Sequence, residues 1–405
     1  MHGTGTTLPT HRPRPRDRRF RLALRLASLV RAGDLMLTLP DGSMHRFGGH
    51  RPGPSAEVTL HSPRAITRFA FGGSLGWAEA YLDQDWSSPD IRAVMALAAA
   101  NEAEWDAVLR GSMVVRTLSR LYHALRPNTR RGARKNIAAH YDLGNDFYAA
   151  WLDPTMTYSS AEFAAPAETL EAAQARKVRN LLSAIDLRPG QSLLEIGCGW
   201  GYLAEIAARE FGARVVALTL SREQHAYAAA RVAEAGLTDR VEIRLQDWRD
   251  VPERFDRIAS VEMFEAVGEA YWAPFFVTVR DRLTAGGLAG LQIITIADRY
   301  FETYRSSADF IQRYIFPGGM LPSPARLREE TARAGLSWRA ETWFGQSYAE
   351  TLSRWNEKFQ AAWPRIAPLG YDERFKRLWE YYLCYCETGF RAGWTDVGRI
   401  VLARP

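Results

Sequence analysis

Ser192-Leu193-Leu194-Glu195-Ile196-Gly197-Cys198-Gly199-Trp200-Gly201 decides the fold. An apolar run of strand length carries a carboxylate near its end, and three glycines at alternate positions follow before a helical period begins. Glycine lets a ligand approach the backbone closely, and the helix beyond offers free N–H groups at its N-terminus. Gly-x-Gly alone is weak evidence. A nicotinamide site favours Gly-x-Gly-x-x-Gly, with an acid closing the second strand to hold the ribose. Here the spacing is Gly-x-Gly-x-Gly and the second strand runs out in Thr219-Leu220-Ser221. A dinucleotide and a purely structural glycine turn therefore rank below S-adenosylmethionine.

Around this stretch the pattern alternates between helix and strand. Helices are expected over 166–185, 201–211 and 221–235, and strands over 192–196, 214–218, 241–245 and 255–261. Such alternation predicts an α/β fold with a doubly wound, mostly parallel sheet. Gln224 falls one turn into a helix, and Gln246-Asp247-Trp248 follows the third strand, where an indole would stack on adenine and a carboxylate accept its amino group. A buried core tryptophan is the competing reading for Trp248. After Asp298 the rhythm breaks into Phe301, Tyr304, Phe310, Tyr314 and Phe316, so 298–345 is expected to be a lid insertion covering the substrate.

Towards the N-terminus, prolines among arginines predict a disordered basic arm over 1–20. Short apolar runs at 35–39 and 56–60, with a turn at Pro40-Asp41-Gly42, give way to a helical period from Pro63, so 21–135 reads as a smaller α+β domain. The catalytic domain is then 136–405. Between Arg110 and Lys135 lie eight bases, no acid, and apolar residues at helical spacing. A helix packed on its own domain with a solvated basic face accounts for this, and so does attraction to anionic lipid. Nucleic acid is disfavoured because no basic motif interleaved with aromatics is present.

Composition sets the outer bounds. At 405 residues with 47% hydrophobic and 24% charged side chains, the chain is neither disordered nor fibrous and is long enough for two or three domains. The net charge of +6 is local: residues 1–50 hold nine Arg and three Asp, and the remainder holds 43 basic and 43 acidic side chains. Only four bases are Lys, which suits phosphate and headgroup contacts or reflects codon usage. Cys198, Cys384 and Cys386 form neither a disulfide framework nor a zinc set, so no metal is expected. No run of about 18 apolar residues occurs. A cytoplasmic protein, touching a membrane only from its surface, is the expectation.

The remaining motifs resemble the cyclopropane fatty acid synthase family. They are His140-Tyr141-Asp142-Leu143-Gly144-Asn145-Asp146-Phe147-Tyr148, Leu152-Asp153-Pro154-Thr155-Met156-Thr157-Tyr158-Ser159, Glu262-Met263-Phe264-Glu265-Ala266-Val267-Gly268 and Tyr314-Ile315-Phe316-Pro317-Gly318-Gly319. Phe344-Gly345 with Tyr348, and Tyr381-Tyr382-Leu383 with Cys386 and Phe390-Arg391-Ala392, continue it to the C-terminus. Residues 35–110 look like the N-terminal domain of the longer, phospholipid-acting members. The resemblance implies methyl transfer from S-adenosylmethionine to the cis double bond of an acyl chain in a membrane phospholipid. It places the cofactor on Tyr158, Ser159, Gly197, Gly199, Gly201, Thr219, Gln224 and Trp248, beside Glu195 and Asp247. It also implies a peripheral position at the inner face of the membrane, and members are often homodimers.

An alkene is a poor nucleophile, so its π bond must be held in line with the sulfonium methyl and the ensuing cation kept from water. Tyr141, Phe264, Tyr304, Tyr314 and Phe316 are the aromatic faces expected to line that site. The resemblance implies that a bound bicarbonate removes the last proton, held by Glu265, the Ile294 backbone, Tyr348 and two further positions. Those two are Ser160, where the family has cysteine, and Gln292, where it has histidine. Both can donate to an anion, but neither titrates near neutral pH. Cys386 matches a cysteine once considered catalytic, although a buried structural thiol is the simpler reading. Ring closure to a cyclopropane is the first expectation, and a methyl-branched or methylene chain without ring closure is the alternative. A lipid-transfer protein on the same fold would be expected to lose the glycine loop or Glu265, and both are present.

Overall fold

The computed structural model describes residues 17–109, 143–306 and 309–405. The chain divides into two compact units, 1–112 and 113–405. That division and the expected boundary near 135 both lie outside the described residues, as do the basic stretch 110–135, residues 1–16 and Tyr141.

In the first unit, helix α1 (Arg18–Ala27) takes in the last three residues of the stretch read as an arm. Asp17 ends the disorder expected there, because its carboxylate accepts the Arg19 N–H and caps the first turn. Strands β1 (Ala32–Thr38), β2 (Met44–Gly48), β3 (Arg51–Leu60) and β4 (Trp86–Ser87) form a sheet in the order β2-β1-β3-β4. Helices α2 (Arg64–Leu82), α3 (Ile91–Ala100) and α4 (Glu102–Leu109) complete the unit.

The second unit is built on a seven-stranded sheet, and its α/β class is the one the alternation predicts. Its elements begin with α5 (Asn145–Ala149), α6 (Leu170–Ala184), β5 (Ser192–Ile196), α7 (Tyr202–Phe211), β6 (Arg214–Thr219), α8 (Arg222–Glu234), β7 (Val241–Leu245) and β8 (Phe255–Val261). They continue with α9 (Trp272–Arg282), β9 (Leu283–Ile296), α10 (Asp298–Arg305), α11 (Phe310–Tyr314), α12 (Pro324–Arg333), β10 (Ser337–Trp343), α13 (Gly345–Ile366), α14 (Glu373–Arg391) and β11 (Thr395–Ala403). The strand order is β10-β11-β9-β8-β5-β6-β7, parallel from β9 to β7 and antiparallel where β11 meets β9 and β10. From β5 the chain winds outward through β6 and β7, then returns to β8 on the other side of β5. That reversal opens a crevice at the strand ends, where ligands bind in open sheets.

One boundary needs correction. The lid expected over 298–345 holds two short helices, α10 and α11, but its later part belongs to the sheet, since β10 pairs with β11 from Ser337↔Ala403 to Trp343↔Gly398. β10 escapes a reading by apolar runs because it is an edge strand with only intermediate and exposed residues.

Gly201 adopts φ +86° at the head of α7, and a Cβ there would lie 2.9 Å from the Ala228 Cβ on α8. Close helix packing and a left-handed backbone thus both require glycine. Gly201→Ala is expected to lower unfolding free energy by about 2 kcal/mol, read from the urea midpoint, because left-handed backbone and overpacking each cost about 1–2 kcal/mol.

Candidate active site

The ends of β5, β6 and β8 surround one cavity. Eight of the ten residues expected at the cofactor line it: Tyr158, Ser159, Glu195, Gly197, Gly199, Thr219, Gln224 and Trp248. Gly197 has φ +87°, and a Cβ there would meet the Met263 side chain at 2.8 Å, whereas a Cβ at Gly199 would project into open space. The Thr219 hydroxyl donates to the Gln224 Oε1 at 2.9 Å, tying the end of β6 to the first turn of α8. Ser221 caps that helix by accepting the Gln224 N–H. Tyr158 meets Tyr382 hydroxyl to hydroxyl at 2.8 Å.

Two expected contacts lie elsewhere. Gly201 is packed on Ala228 rather than open to the cavity. Asp247 is buried and held by the Arg249 guanidinium, with Oδ2 2.6 Å from Nη2, and it does not line the cavity. Trp248 does, with the Arg249 guanidinium 5.4 Å from its ring centre.

Glu195 shows what the cavity fits. It is 3% exposed, its Oε2 has no hydrogen-bond partner, and burial pushes its carboxyl up to about 8. A buried, unpaired acceptor on a cavity wall fits a ligand with hydroxyl donors, as a ribose has. S-adenosylmethionine therefore fits, and Glu195 and the glycine loop are among the residues that would hold it.

A second cluster begins where β8 ends. Glu262 lies in the left-handed region at φ +49°, an unusual place for a residue with a side chain. Its Oε1 accepts from the Ser160 N–H at 2.8 Å and the Gln292 Nε2 at 2.7 Å, and its Oε2 accepts the Tyr348 hydroxyl at 2.6 Å. Lys177, 1% exposed, donates to the Ser159 hydroxyl at 2.6 Å. Burial lowers its ammonium to about 8, and the opposite charge of Glu262 is the strongest influence holding it up. Lys177 and Glu262 both line the cofactor cavity.

Glu265 stands apart from this ring. Its Oε1 accepts the Ile294 N–H at 2.5 Å, and its buried Oε2 has no partner. Burial, then the nearby Glu262 charge, push its carboxyl up to about 8. Burial raises the Glu262 carboxyl as well, but the Lys177 charge and three donors pull it back down, whereas Glu265 lacks them and holds a proton at neutral pH.

These contacts bear on the bicarbonate that the resemblance implies. The Tyr348 hydroxyl and the Ser160 N–H are given to Glu262, and the Ile294 N–H is given to Glu265. The Gln292 amide reaches both Glu262 and the Ser160 carbonyl. The Ser160 hydroxyl turns away to the Ala161 carbonyl at 2.8 Å. Of the expected set only Glu265, protonated at neutral pH with its Oε2 unpartnered, keeps a donor, and one donor without the other four does not fit the ion.

The expected substrate aromatics divide. Phe264 is core: it is 1% exposed, with its ring 5.1 Å from both Phe275 and Phe276. Phe316 lies 6.4 Å from Tyr382, and neither ring lines the cofactor cavity. Tyr304 on α10 receives the Leu321 N–H at 3.4 Å, and Tyr314 on α11 packs 5.4 Å from Phe310. Burial drives the Cys386 thiol far above its ordinary value, which excludes a thiolate at neutral pH. Sequence reading missed Glu262 and Lys177. Glu262 was legible only as a second acid three residues before Glu265, and Lys177 as one of four lysines among 48 arginines.

A family model described as mycolic acid cyclopropane synthetase matches residues 128–400. The sequence is 41% identical over 355 residues to the tuberculostearic acid methyltransferase UfaA1 of Mycobacterium tuberculosis, covering 85% of this chain and 82% of that one. It is 36% identical over 363 residues to the cyclopropane-fatty-acyl-phospholipid synthase of Escherichia coli, covering 86% and 88%. Among solved structures, the mycolic acid cyclopropane synthase CmaA1 complexed with SAH and CTAB shares 33% identity at a TM-score of 0.64, covering 67% of this chain and 98% of that one.

Glu195 provides a test of the cavity itself. At pH 7 its carboxyl, near 8, is mostly protonated, and hydroxyls donating to it would stabilise the carboxylate and release a proton. S-adenosylhomocysteine affinity should therefore rise from pH 6 towards 8 and level off above. Calorimetry at pH 7 in buffers of different ionisation enthalpy should show the proton release, and Glu195→Gln should abolish it.

Proposed function

The chain belongs to the mycolic acid cyclopropane synthetase family and is an S-adenosylmethionine-dependent methyltransferase, and from that premise we propose that it methylates the cis double bond of an unsaturated phospholipid acyl chain without closing a ring. The cofactor supplies, when bound, an electrophilic methyl group on a sulfonium. The observation that carries the reading is the ring of donors closed around Glu262.

Addition of the methyl group leaves a cation on the neighbouring carbon. Ring closure requires a base to take a proton from the new methyl before anything else happens. Burial raises the basicity of the Glu262 carboxylate, and its three donors and Lys177 take back part of that gain by stabilising its charge. The cation then has time for a hydride shift that makes it tertiary, and proton loss from the methyl gives a methylene group. Phe316, Tyr382, Tyr158 and Tyr348 offer aromatic faces and exclude water meanwhile. The likeness to a tuberculostearic acid methyltransferase supports the open-chain product. The likeness to the Escherichia coli synthase supports ring closure as the second reading.

Membrane contact is part of the proposal. Among the described residues no helix is long and apolar enough to cross a membrane. On α1, Arg18, Arg21, Leu22 and Arg25 are exposed along one stripe, with Ala23 and Ala27 buried. That is a surface suited to anionic headgroups.

Cells expressing the protein and fed methionine with a trideuterated methyl group should yield acyl chains with vinylidene NMR signals and two retained deuteriums. A ring signal with two deuteriums would establish the second reading, and unlabelled lipid would remove both. Replacing Arg18, Arg21 and Arg25 together by Ser should weaken binding to anionic vesicles by roughly tenfold or more at low salt, since each base contributes about 1 kcal/mol, and much less at high salt.

A further inference from the structure

Ser160, Gln292 and Tyr348 were expected to surround a bound anion, and they surround a side chain of the same charge and planar shape. We infer that the Glu262 carboxylate is this chain's own replacement for that ion: a built-in catalytic base that makes turnover independent of bicarbonate. The inference rests on the methyl-transfer reading and adds to it the group that accepts the final proton.

Three observations converge. Ser160, Gln292 and Tyr348 are all spent on Glu262, with Oε1 taking two hydrogen bonds and Oε2 one. The residue keeps φ +49°, where a side chain costs about 1–2 kcal/mol and glycine costs nothing, and strain of this kind persists at functional sites. The carboxylate lies on the wall of the cofactor cavity beside Lys177, so it faces the chemistry rather than the core. A neighbouring structural acid, Asp247, shows the contrast: it too is buried, but its oxygens are taken up by the Arg249 backbone and guanidinium, away from the cavity.

In the step assigned to it, Oε2 uses its remaining lone pair. A C–H bond of the methyl group on the tertiary cation breaks, its electron pair becomes the π bond of the methylene group, and the proton joins Glu262 to give a neutral carboxylic acid. No oxidant, reductant or added ion enters. Tyr348 and Gln292 act here as positioning residues that fix the carboxylate plane.

The test uses the full chain with vesicles of dioleoyl phosphatidylglycerol and S-adenosylmethionine labelled in its methyl group, in buffer stripped of carbon dioxide and again with added bicarbonate. Wild type should turn over equally in both. Glu262→Gly empties the donor ring and suits the left-handed backbone; it should lose roughly a hundredfold or more without bicarbonate and regain much of it when bicarbonate is added. Glu262→Gln keeps the ring filled without a base, so it should lose as much and not be rescued. S-adenosylhomocysteine binding identifies folded variants, and if the glycine variant fails that check the glutamine variant decides. NMR of 13C-bicarbonate should show saturable binding to the glycine variant and none to wild type. A wild type that needs bicarbonate or binds it, or a glutamine variant as active as wild type, would overturn the inference. A wild type that binds no bicarbonate yet transfers no methyl group would count against the methyl-transfer reading and leave the anion replacement standing.

Discussion

A buried carboxylate must be paired or it will not stay charged, and Glu262 is where this chain meets that constraint. Its partners come from four places: the loop before α6 through Ser160, β9 through Gln292, α13 through Tyr348, and α6 through the Lys177 charge. The loop before α6 and α6 itself also line the cofactor cavity, through Ser159 and Lys177. The hydrogen bonds that keep the charge in place therefore also fix the distance between the loop, the sheet and the long helix. In a low-dielectric setting such a network gains rigidity only when every member is satisfied, and here each donor has an acceptor.

Register on the sheet makes the arrangement possible. Gln292 stands beside Val261 on the neighbouring parallel strand, and the Glu262 N–H donates to the Gln292 carbonyl at 2.9 Å. Two residues further along β9, Ile294 points its N–H at Glu265 instead. The left-handed turn at Glu262 lets one short segment send two carboxylates to two separate donors. An extended backbone there would direct the side chain elsewhere.

The parallel half of the sheet was legible because β5 is a short apolar run, β7 alternates apolar and charged residues as a half-buried strand does, and β8 ends in an apolar stretch, so the strands at 192–196, 241–245 and 255–261 fall where the pattern puts them. The antiparallel edge was not, because β10 is half in solvent and carries charges that resemble a loop. At the site, the glycine loop was readable from spacing, since close backbone approach has a local signature. The donor ring was not. Its members are 102, 30 and 86 residues from Glu262, and nothing local distinguishes an acid that takes hydrogen bonds from one that supplies a motif. Phe264 illustrates the converse, because an aromatic beside catalytic residues looks like a lining and is in fact the core that supports them.

The charge of the chain, located rather than summed, fits the same logic. The positive excess lies before residue 51, away from the cavity residues in sequence, and the rest is balanced. Inside the cavity the balance is local as well. Lys177 and Glu262 on its wall attract each other, while Glu195 on the same wall and Glu265 outside the lining, both near 8, are mostly neutral at pH 7. Such a cavity carries little net charge before a ligand enters. A cationic ligand changes the balance: its field and its hydroxyls lower the pKa of the nearest carboxyl, so a negative charge appears only when there is a positive one to meet it. Permanent ionisation of all three carboxyls would demand solvent or further cations, and either would quench the substrate cation that the fold is arranged to protect.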